Sequence, residues 1–163
     1  MSEKKRIVIA EDHTMIREAL NNLLSSSPDY TVVGEAGNGL DAIRCVSELS
    51  PDLILLDLLM PKMNGTEAIL DIKKQRPKTK VLILTMHDTE DDVLLALQAG
   101  ADGYVLKDDS YEELLIALKS VFAGNRYLSP GVSGKVIEGW LRKEKESTSR
   151  NRPSSVGVSD KER

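Results

Sequence analysis

Leu53-Ile54-Leu55-Leu56-Asp57 decides how this chain folds. Four apolar residues stand in an unbroken row and end on a carboxylate. A strand that is apolar on both faces is buried on both faces, which is the habit of parallel sheets. Four similar short runs flank it: Ile7-Val8-Ile9-Ala10, Thr31-Val32-Val33, Val81-Leu82-Ile83-Leu84 and Tyr104-Val105-Leu106. The segments between them carry apolar residues at helical spacing. Ile16, Ala19, Leu20, Leu23 and Leu24 form one stripe, and Leu114, Leu115, Leu118, Val121 and Phe122 another. Shorter stripes pass through Leu40, Ile43 and Val46, through Ala68, Ile69 and Ile72, and through Val93, Leu94 and Leu97. Ser110 with Glu113 makes a capping box, Thr89 with Asp92 resembles one, and Gly124 can close the helix that Ser110 opens. Strand and helix thus alternate through roughly the first 120 residues, which predicts an α/β fold: a doubly wound, five-stranded parallel sheet with five helices.

The rest of the composition narrows the class. With 163 residues there is room for one ordinary domain and an appendage. The single cysteine, Cys45, excludes an intrachain disulfide. The charged start MSEKKRIVIAEDH is no signal peptide, and no apolar run reaches the ~18 residues of a membrane helix, so a cytoplasmic chain without a membrane partner is expected. Residues 1–124 hold 13 Lys/Arg against 21 Asp/Glu, whereas residues 125–163 hold 9 against 5. An acidic body with a short basic tail is unlike a nucleic-acid-binding domain and suits one that holds a cation.

The tail divides further. Val132, Val136, Ile137, Trp140 and Leu141 predict a short amphipathic helix within a linker-helix region, 125–146. Residues 147–158, STSRNRPSSVGV, read as a flexible linker. Ser159-Asp160-Lys161-Glu162 begins another capping box, the expected start of a further domain at 159–163. The body is then 1–124.

In a sheet of this kind every strand points its C-terminal end to one edge, where ligands bind. The first strand delivers Glu11 and Asp12 there, the third Asp57, the fourth Thr85 and the fifth Lys107. Clustered carboxylates repel, and a divalent cation relieves the repulsion. Oxygen ligands with open positions suit Mg²⁺, while a lysine and a hydroxyl opposite suit an anion. Together they describe a phosphoryl site beside Mg²⁺, with the central Asp57 as nucleophile. Each residue alone has a plainer reading: a turn-forming Asp, a solvated Lys, a strand-filling Thr. The coincidence of five at strand ends favours the site.

The motifs Glu11-Asp12, Leu55-Leu56-Asp57-Leu58-Leu59-Met60-Pro61-Lys62-Met63-Asn64-Gly65, Leu84-Thr85 and Tyr104-Val105-Leu106-Lys107 make residues 5–124 resemble a response-regulator receiver domain, with its flavodoxin-like fold. Leu84-Thr85-Met86-His87-Asp88 and Gly124-Asn125-Arg126-Tyr127-Leu128-Ser129-Pro130 resemble the NarL/FixJ subfamily, and Val158 to Glu162 resembles the opening of its LuxR-type helix-turn-helix domain. The resemblance implies a two-component transcription regulator that takes phosphate on Asp57 from a sensor histidine kinase. It implies Mg²⁺ held by Asp12, Asp57 and the Leu59 carbonyl, with Glu11 direct or through water. Thr85 and Lys107 would bind phosphoryl oxygens, Tyr104 would be the aromatic switch, and Pro61 and Gly65 would shape the loop after Asp57. It further implies a homodimer on phosphorylation, DNA binding only through a C-terminal domain that this sequence stops short of, and no enzymatic role beyond self-phosphorylation and slow autodephosphorylation. Two positions depart from the common pattern. Glu11 stands where Asp is usual, and Asp108 follows Lys107 where a cis proline is common, so a trans bond is expected there.

Weaker signals have plain explanations. Gly34, Gly37 and Gly39 have the wrong order for a dinucleotide loop and read as loop and cap glycines. Cys45 reads as a packed thiol, His13 and His87 as polar residues at helix starts, and Trp140 as a packing anchor. One rival function is a Mg²⁺-dependent phosphohydrolase of the haloacid-dehalogenase kind, which needs a second Asp two residues after its nucleophile; here that residue is Leu59. The other is a receiver-like interaction module that takes no phosphate.

Overall fold

The computed structural model describes residues 3–61, 64–86 and 89–151, with 146–151 described by backbone alone. Six parallel strands are ordered β2-β1-β3-β4-β5-β6. They are β1 (Lys5–Ala10), β2 (Tyr30–Ala36), β3 (Leu53–Leu56), β4 (Lys80–Thr85), β5 (Gly103–Leu106) and β6 (Tyr127–Leu128). The helices are α1 (Thr14–Ser25), α2 (Gly39–Leu49), α3 (Gly65–Gln75), α4 (Glu90–Ala99), α5 (Tyr111–Phe122) and α6 (Pro130–Asn151).

The unbroken apolar runs fill both faces of the sheet, because successive strand residues point to opposite sides. Ile7, Ile9, Leu53, Leu55, Leu82, Leu84 and Val105 pack against α1 and α5. Val8, Ala10, Ile54, Leu56, Val81, Ile83 and Tyr104 pack against α2, α3 and α4. The doubly wound expectation therefore holds.

The capping expectations hold in part. Ser110 Oγ accepts from Glu113 N at 3.1 Å and Thr89 Oγ1 from Asp92 N at 3.2 Å. The Glu113 carboxylate, however, accepts the Tyr127 hydroxyl, tying α5 to β6. Gly124 closes α5 at φ +94°, a left-handed conformation that glycine adopts without steric cost. Gly34 is neither loop nor cap: it lies inside β2, where a Cβ would come within 2.7 Å of Leu49 Cδ1. The Lys107–Asp108 bond is trans, as expected.

The tail differs from its sequence reading. A sixth strand precedes its helix, with Tyr127 N donating to Asp102 O and Ser129 N to Tyr104 O, both at 3.1 Å. Pro130 opens α6, a first-turn position where its missing N–H costs nothing. The helix continues to Asn151, five residues into the stretch expected to be a flexible linker, and stops short of Pro153. Residues 152–158 and the expected domain start at 159–163 lie outside the described residues. Trp140 is no packing anchor: it is 60% exposed, beside exposed Ile137 and Leu141. The inner face of α6 is instead Val132, Val136, Gly139 and Lys143, which contact the β5–β6 end of the sheet and α4. This helix packs on its own domain. Among the described residues no helix is long and apolar enough to cross a membrane.

Candidate functional site

The two strands that follow β1 in the chain flank it in the sheet, β2 on one side and β3 on the other. This is the topological switch point, and the crevice outside it is where open α/β sheets bind ligands. Glu11 follows β1 and Asp57 follows β3, so both carboxylates stand at that crevice. Backbone bonds fix the two positions: Glu11 N donates to Ala36 O at 2.9 Å and Asp57 N to Ala10 O at 3.1 Å. Both side chains are buried, at 1% and 4% exposed.

Lys107 reaches across from the end of β5. Its Nζ lies 2.7 Å from Glu11 Oε1 and 2.9 Å from Asp57 Oδ2. Its backbone is set by Lys107 N donating to Thr85 O at 2.9 Å, and Leu106 N donates to Asp109 Oδ2 at 2.9 Å. Burial by itself pushes the ammonium pKa down. The hydrogen bonds and charges of Glu11 and Asp57 outweigh that, and the pKa is raised. The other Asp57 oxygen, Oδ1, accepts from Leu59 N at 3.1 Å.

Asp12 and His13 complete the edge. Glu11 Oε2 accepts from His13 N at 3.0 Å, and His13 Nδ1 stands 3.2 Å from that oxygen and 3.4 Å from Asp12 Oδ1. Ligand atoms of Glu11, Asp12 and His13 lie within 4.8 Å of one another, an arrangement that can hold a metal ion. Asp57 is not in that group in this conformation; its oxygens face Leu59 N and Lys107. Thr85 is fully buried at the end of β4, and Tyr104 is fully buried one strand over. Gly65 does shape the loop after Asp57, because a Cβ there would meet Leu58 Cδ2 at 2.7 Å and Leu58 O at 3.0 Å. His13 is the residue before α1 but makes no side-chain cap bond; its ring turns to the acidic pair. His87 lies outside the described residues.

One supporting residue escaped the sequence reading. Arg17 on α1 donates from Nη1 to the Glu11 carbonyl at 2.6 Å and from Nε to Glu35 Oε1 at 3.0 Å, bracing the β1–α1 turn. Its only signal is a cation one helical turn past the acidic pair. Cys45 is half-buried with Sγ 3.7 Å from Glu35 O, and burial raises its thiol pKa, in keeping with a packed, unreactive side chain.

Three carboxylates against one ammonium leave the edge negative. That donor set of hard oxygens fits a divalent cation, which would neutralise the excess.

A sheet-edge set of buried carboxylates, lysine and threonine is what a cation beside an anionic group would need. The comparisons with known proteins give the family. Residues 7–119 match the family described as the response regulator receiver domain. The chain is 41% identical over 149 residues to the nitrate/nitrite response regulator protein NarL of Escherichia coli strain K12, covering 91% of this chain and 68% of that protein. It is 39% identical over 139 residues to the transcriptional regulatory protein DegU of Brevibacillus brevis, covering 85% of this chain and 59% of that one. A crystal structure of a LuxR-family two-component response regulator from Aurantimonas sp. SI85-9A1 superposes with a TM-score of 0.81 at 34% identity, covering 85% of this chain and 99% of that one. The chain belongs to the response regulator receiver domain family, whose members are signalling proteins of two-component systems. It spans roughly two thirds or less of the length of the two curated relatives named here.

Proposed function

We propose that Asp57 is the phosphoacceptor of this receiver and that Glu11, Asp12, Thr85 and Lys107 assist its phosphorylation. The observation that carries the reading is the Lys107 ammonium held between buried Glu11 and Asp57, with a surplus of carboxylate around it. A carboxylate oxygen of Asp57 attacks phosphorus as the phosphorus–nitrogen bond of a kinase phosphohistidine breaks. The electron pair leaves on the imidazole, which is protonated from solvent. Lys107 exchanges its contact with Asp57 for a phosphoryl oxygen, and the Thr85 hydroxyl donates to another. Mg²⁺ would be held by Asp12, Asp57 and the Leu59 carbonyl, with Glu11 direct or through water, and when bound supplies charge neutralisation for the incoming phosphoryl group.

The acyl phosphate persists because no acid or base stands two residues after Asp57; that residue is Leu59, which argues against a phosphohydrolase. The domain's only chemistry is then its own phosphorylation and slow dephosphorylation. Phosphate on Asp57 draws Thr85 toward it, and the rearrangement promotes pairing of two copies. A sensor histidine kinase is the donor. DNA is reached through a region of the kind carried by the longer relatives, and the site of action is the cytoplasm.

Incubation with acetyl phosphate and Mg²⁺, followed by mass spectrometry, tests the reading. One stable phosphate is expected, lost in Asp57→Asn and absent when a chelator is present. Labelling that survives Asp57→Asn would falsify the assignment; sustained turnover of acetyl phosphate would favour the phosphohydrolase.

A further inference from the structure

The turn that leaves β1, Glu11-Asp12-His13, carries three metal-ligating side chains in a row, and its backbone is held at four points. Glu11 N donates to Ala36 O at 2.9 Å, and the Glu11 carbonyl accepts from Arg17 Nη1 at 2.6 Å. His13 N donates to Glu11 Oε2 at 3.0 Å, and the His13 carbonyl accepts from Arg17 N at 2.9 Å. A polar residue just before a helix has an ordinary use, capping the first turn, and His13 does not serve it. Its ring is turned back instead, with Nδ1 3.2 Å from Glu11 Oε2 and 3.4 Å from Asp12 Oδ1.

Those separations are the edges of a coordination shell. Bonds from Zn²⁺ to imidazole nitrogen and carboxylate oxygen run about 2.0–2.2 Å, so neighbouring ligands of a tetrahedral ion stand about 3.3–3.6 Å apart. The surrounding charges leave the position open. Lys107 takes the other Glu11 oxygen, Oε1, and among the described residues no lysine or arginine pairs with Asp12. Asp12 and His13 are exposed, so an ion can enter from solvent and water can fill its remaining positions. The nitrogen sets this group apart from a plain acidic cluster. Mg²⁺ takes oxygen ligands, whereas imidazole suits zinc and its neighbours in the first transition row. The oxygen set proposed for Mg²⁺ runs inward to Asp57 and the Leu59 carbonyl. The Glu11-Asp12-His13 set runs outward, and Asp57 is not part of it.

We propose that Glu11, Asp12 and His13 form a second divalent-cation site, selective for Zn²⁺ or Co²⁺, which binds through His13 Nδ1 and competes with Mg²⁺ for Asp12. The neutral ring then carries its proton on Nε2. The two ions exclude one another, so the kind of cation present becomes an input to the same sheet edge. The competition rests on Asp12 as a ligand in the proposed Mg²⁺ set; the His13 site does not depend on Asp57 as acceptor.

Co²⁺ is the probe, added to the whole chain without an affinity tag. Visible absorption follows binding, and proton NMR finds imidazole signals shifted by the paramagnetic ion. Shifted signals are expected in the wild type, lost in His13→Gln and kept in His87→Gln. His13→Gln should weaken Co²⁺ binding by about tenfold or more, a loss that even outer-shell partners of a metal produce. Mg²⁺ affinity of that variant, read by calorimetry, should stay within about twofold of wild type, because His13 is outside the oxygen set. Asp57→Asn should do the reverse, weakening Mg²⁺ more than Co²⁺, and Mg²⁺ should displace Co²⁺ competitively from the wild type. The His13 side chain is 71% exposed and makes no cap bond, so its replacement keeps the fold, which circular dichroism checks. Equal Co²⁺ affinity in wild type and His13→Gln would overturn the site, as would shifted signals that vanish in His87→Gln. Equal losses of both ions in Asp57→Asn would reduce the two sets to one and overturn it as well. Co²⁺ and Mg²⁺ bound together would overturn the sharing of Asp12. Failure of Asp57 as acceptor shows separately, in the acetyl phosphate labelling, and leaves these Co²⁺ outcomes untouched.

Discussion

Two lysines reach across this sheet, one at each end, and they do different things. At the N-terminal edge Lys73 Nζ meets Asp102 Oδ2 at 2.7 Å and the Thr79 carbonyl at 2.9 Å, while the same Asp102 oxygen accepts Val81 N at 2.9 Å. One cation faces one carboxylate, and the remaining bonds go to backbone. At the C-terminal edge Lys107 faces two buried carboxylates with Asp12 beside them. The first group is balanced and fastens β4 and β5 to α3. The second is unbalanced, and an unbalanced buried cluster costs stability that only a ligand can return. The contrast teaches that charge surplus, rather than the presence of an ion pair, separates a binding edge from a structural one.

Removing each lysine in turn is the sharpest way to break the comparison. Lys107→Met leaves Glu11 and Asp57 buried without a cation and should cost about 3–5 kcal/mol, read from urea unfolding. Mg²⁺ should restore part of that loss, and labelling by acetyl phosphate should fall steeply. Lys73→Met should cost only about 1 kcal/mol, because the pair is partly solvated, with no recovery in Mg²⁺ and no change in labelling. Equal losses and equal Mg²⁺ responses would erase the distinction.

Thr85→Ala is the next test. It removes a hydroxyl from the unbalanced edge and no charge, so labelling should persist within about tenfold of wild type, the scale of one hydrogen bond. The coupling should fail: ultracentrifugation with acetyl phosphate should show no pairing of copies beyond the unphosphorylated level. Pairing at the wild-type level would disconnect Thr85 from the response.

The smallest effect is in pH. The folded pKa of Lys107 is raised, so its contribution to stability is fully present below the unfolded value of about 10.4 and disappears as pH rises through the folded value. Wild type minus Lys107→Met stability should therefore be level across neutral pH, as regards this group, and decline only in strongly alkaline solution. A decline already below pH ~9 would mean that the bridge is weaker than its geometry suggests.

Much of the fold was legible because its information is local. Continuous apolar runs ending on Glu11, Asp57, Thr85 and Lys107 carry both the sheet and the site's roster, since parallel topology forces all strand ends to one edge. What was not legible depended on contacts distant in sequence. A two-residue strand, Tyr127–Leu128, has no periodicity to read and exists because Tyr104 and Asp102 offer carbonyls to it. Of the stripe read in α6, Val132 and Val136 do pack inward, yet Ile137, Trp140 and Leu141 face outward, and Gly139 and Lys143 take the inner positions against Glu90. In the site, the sequence assembled Glu11, Asp12 and Asp57 as one set. The side-chain rotamers instead group Glu11 and Asp12 with His13 and leave Asp57 to Lys107 and Leu59.

The strand at the far end of the sheet has a consequence for how this molecule keeps apart from its neighbours. A bare β5 would offer a row of amides and carbonyls to any extended peptide. Tyr127 and Leu128 cover it with a rung of two residues, and after Ser129 comes Pro130, a residue that has no amide to continue the ladder. At the opposite border β2 is longer, but its register slips between Ile7 and Val8, which bends the ribbon away from a flat template. Both borders of the sheet are thus poor templates for a further strand.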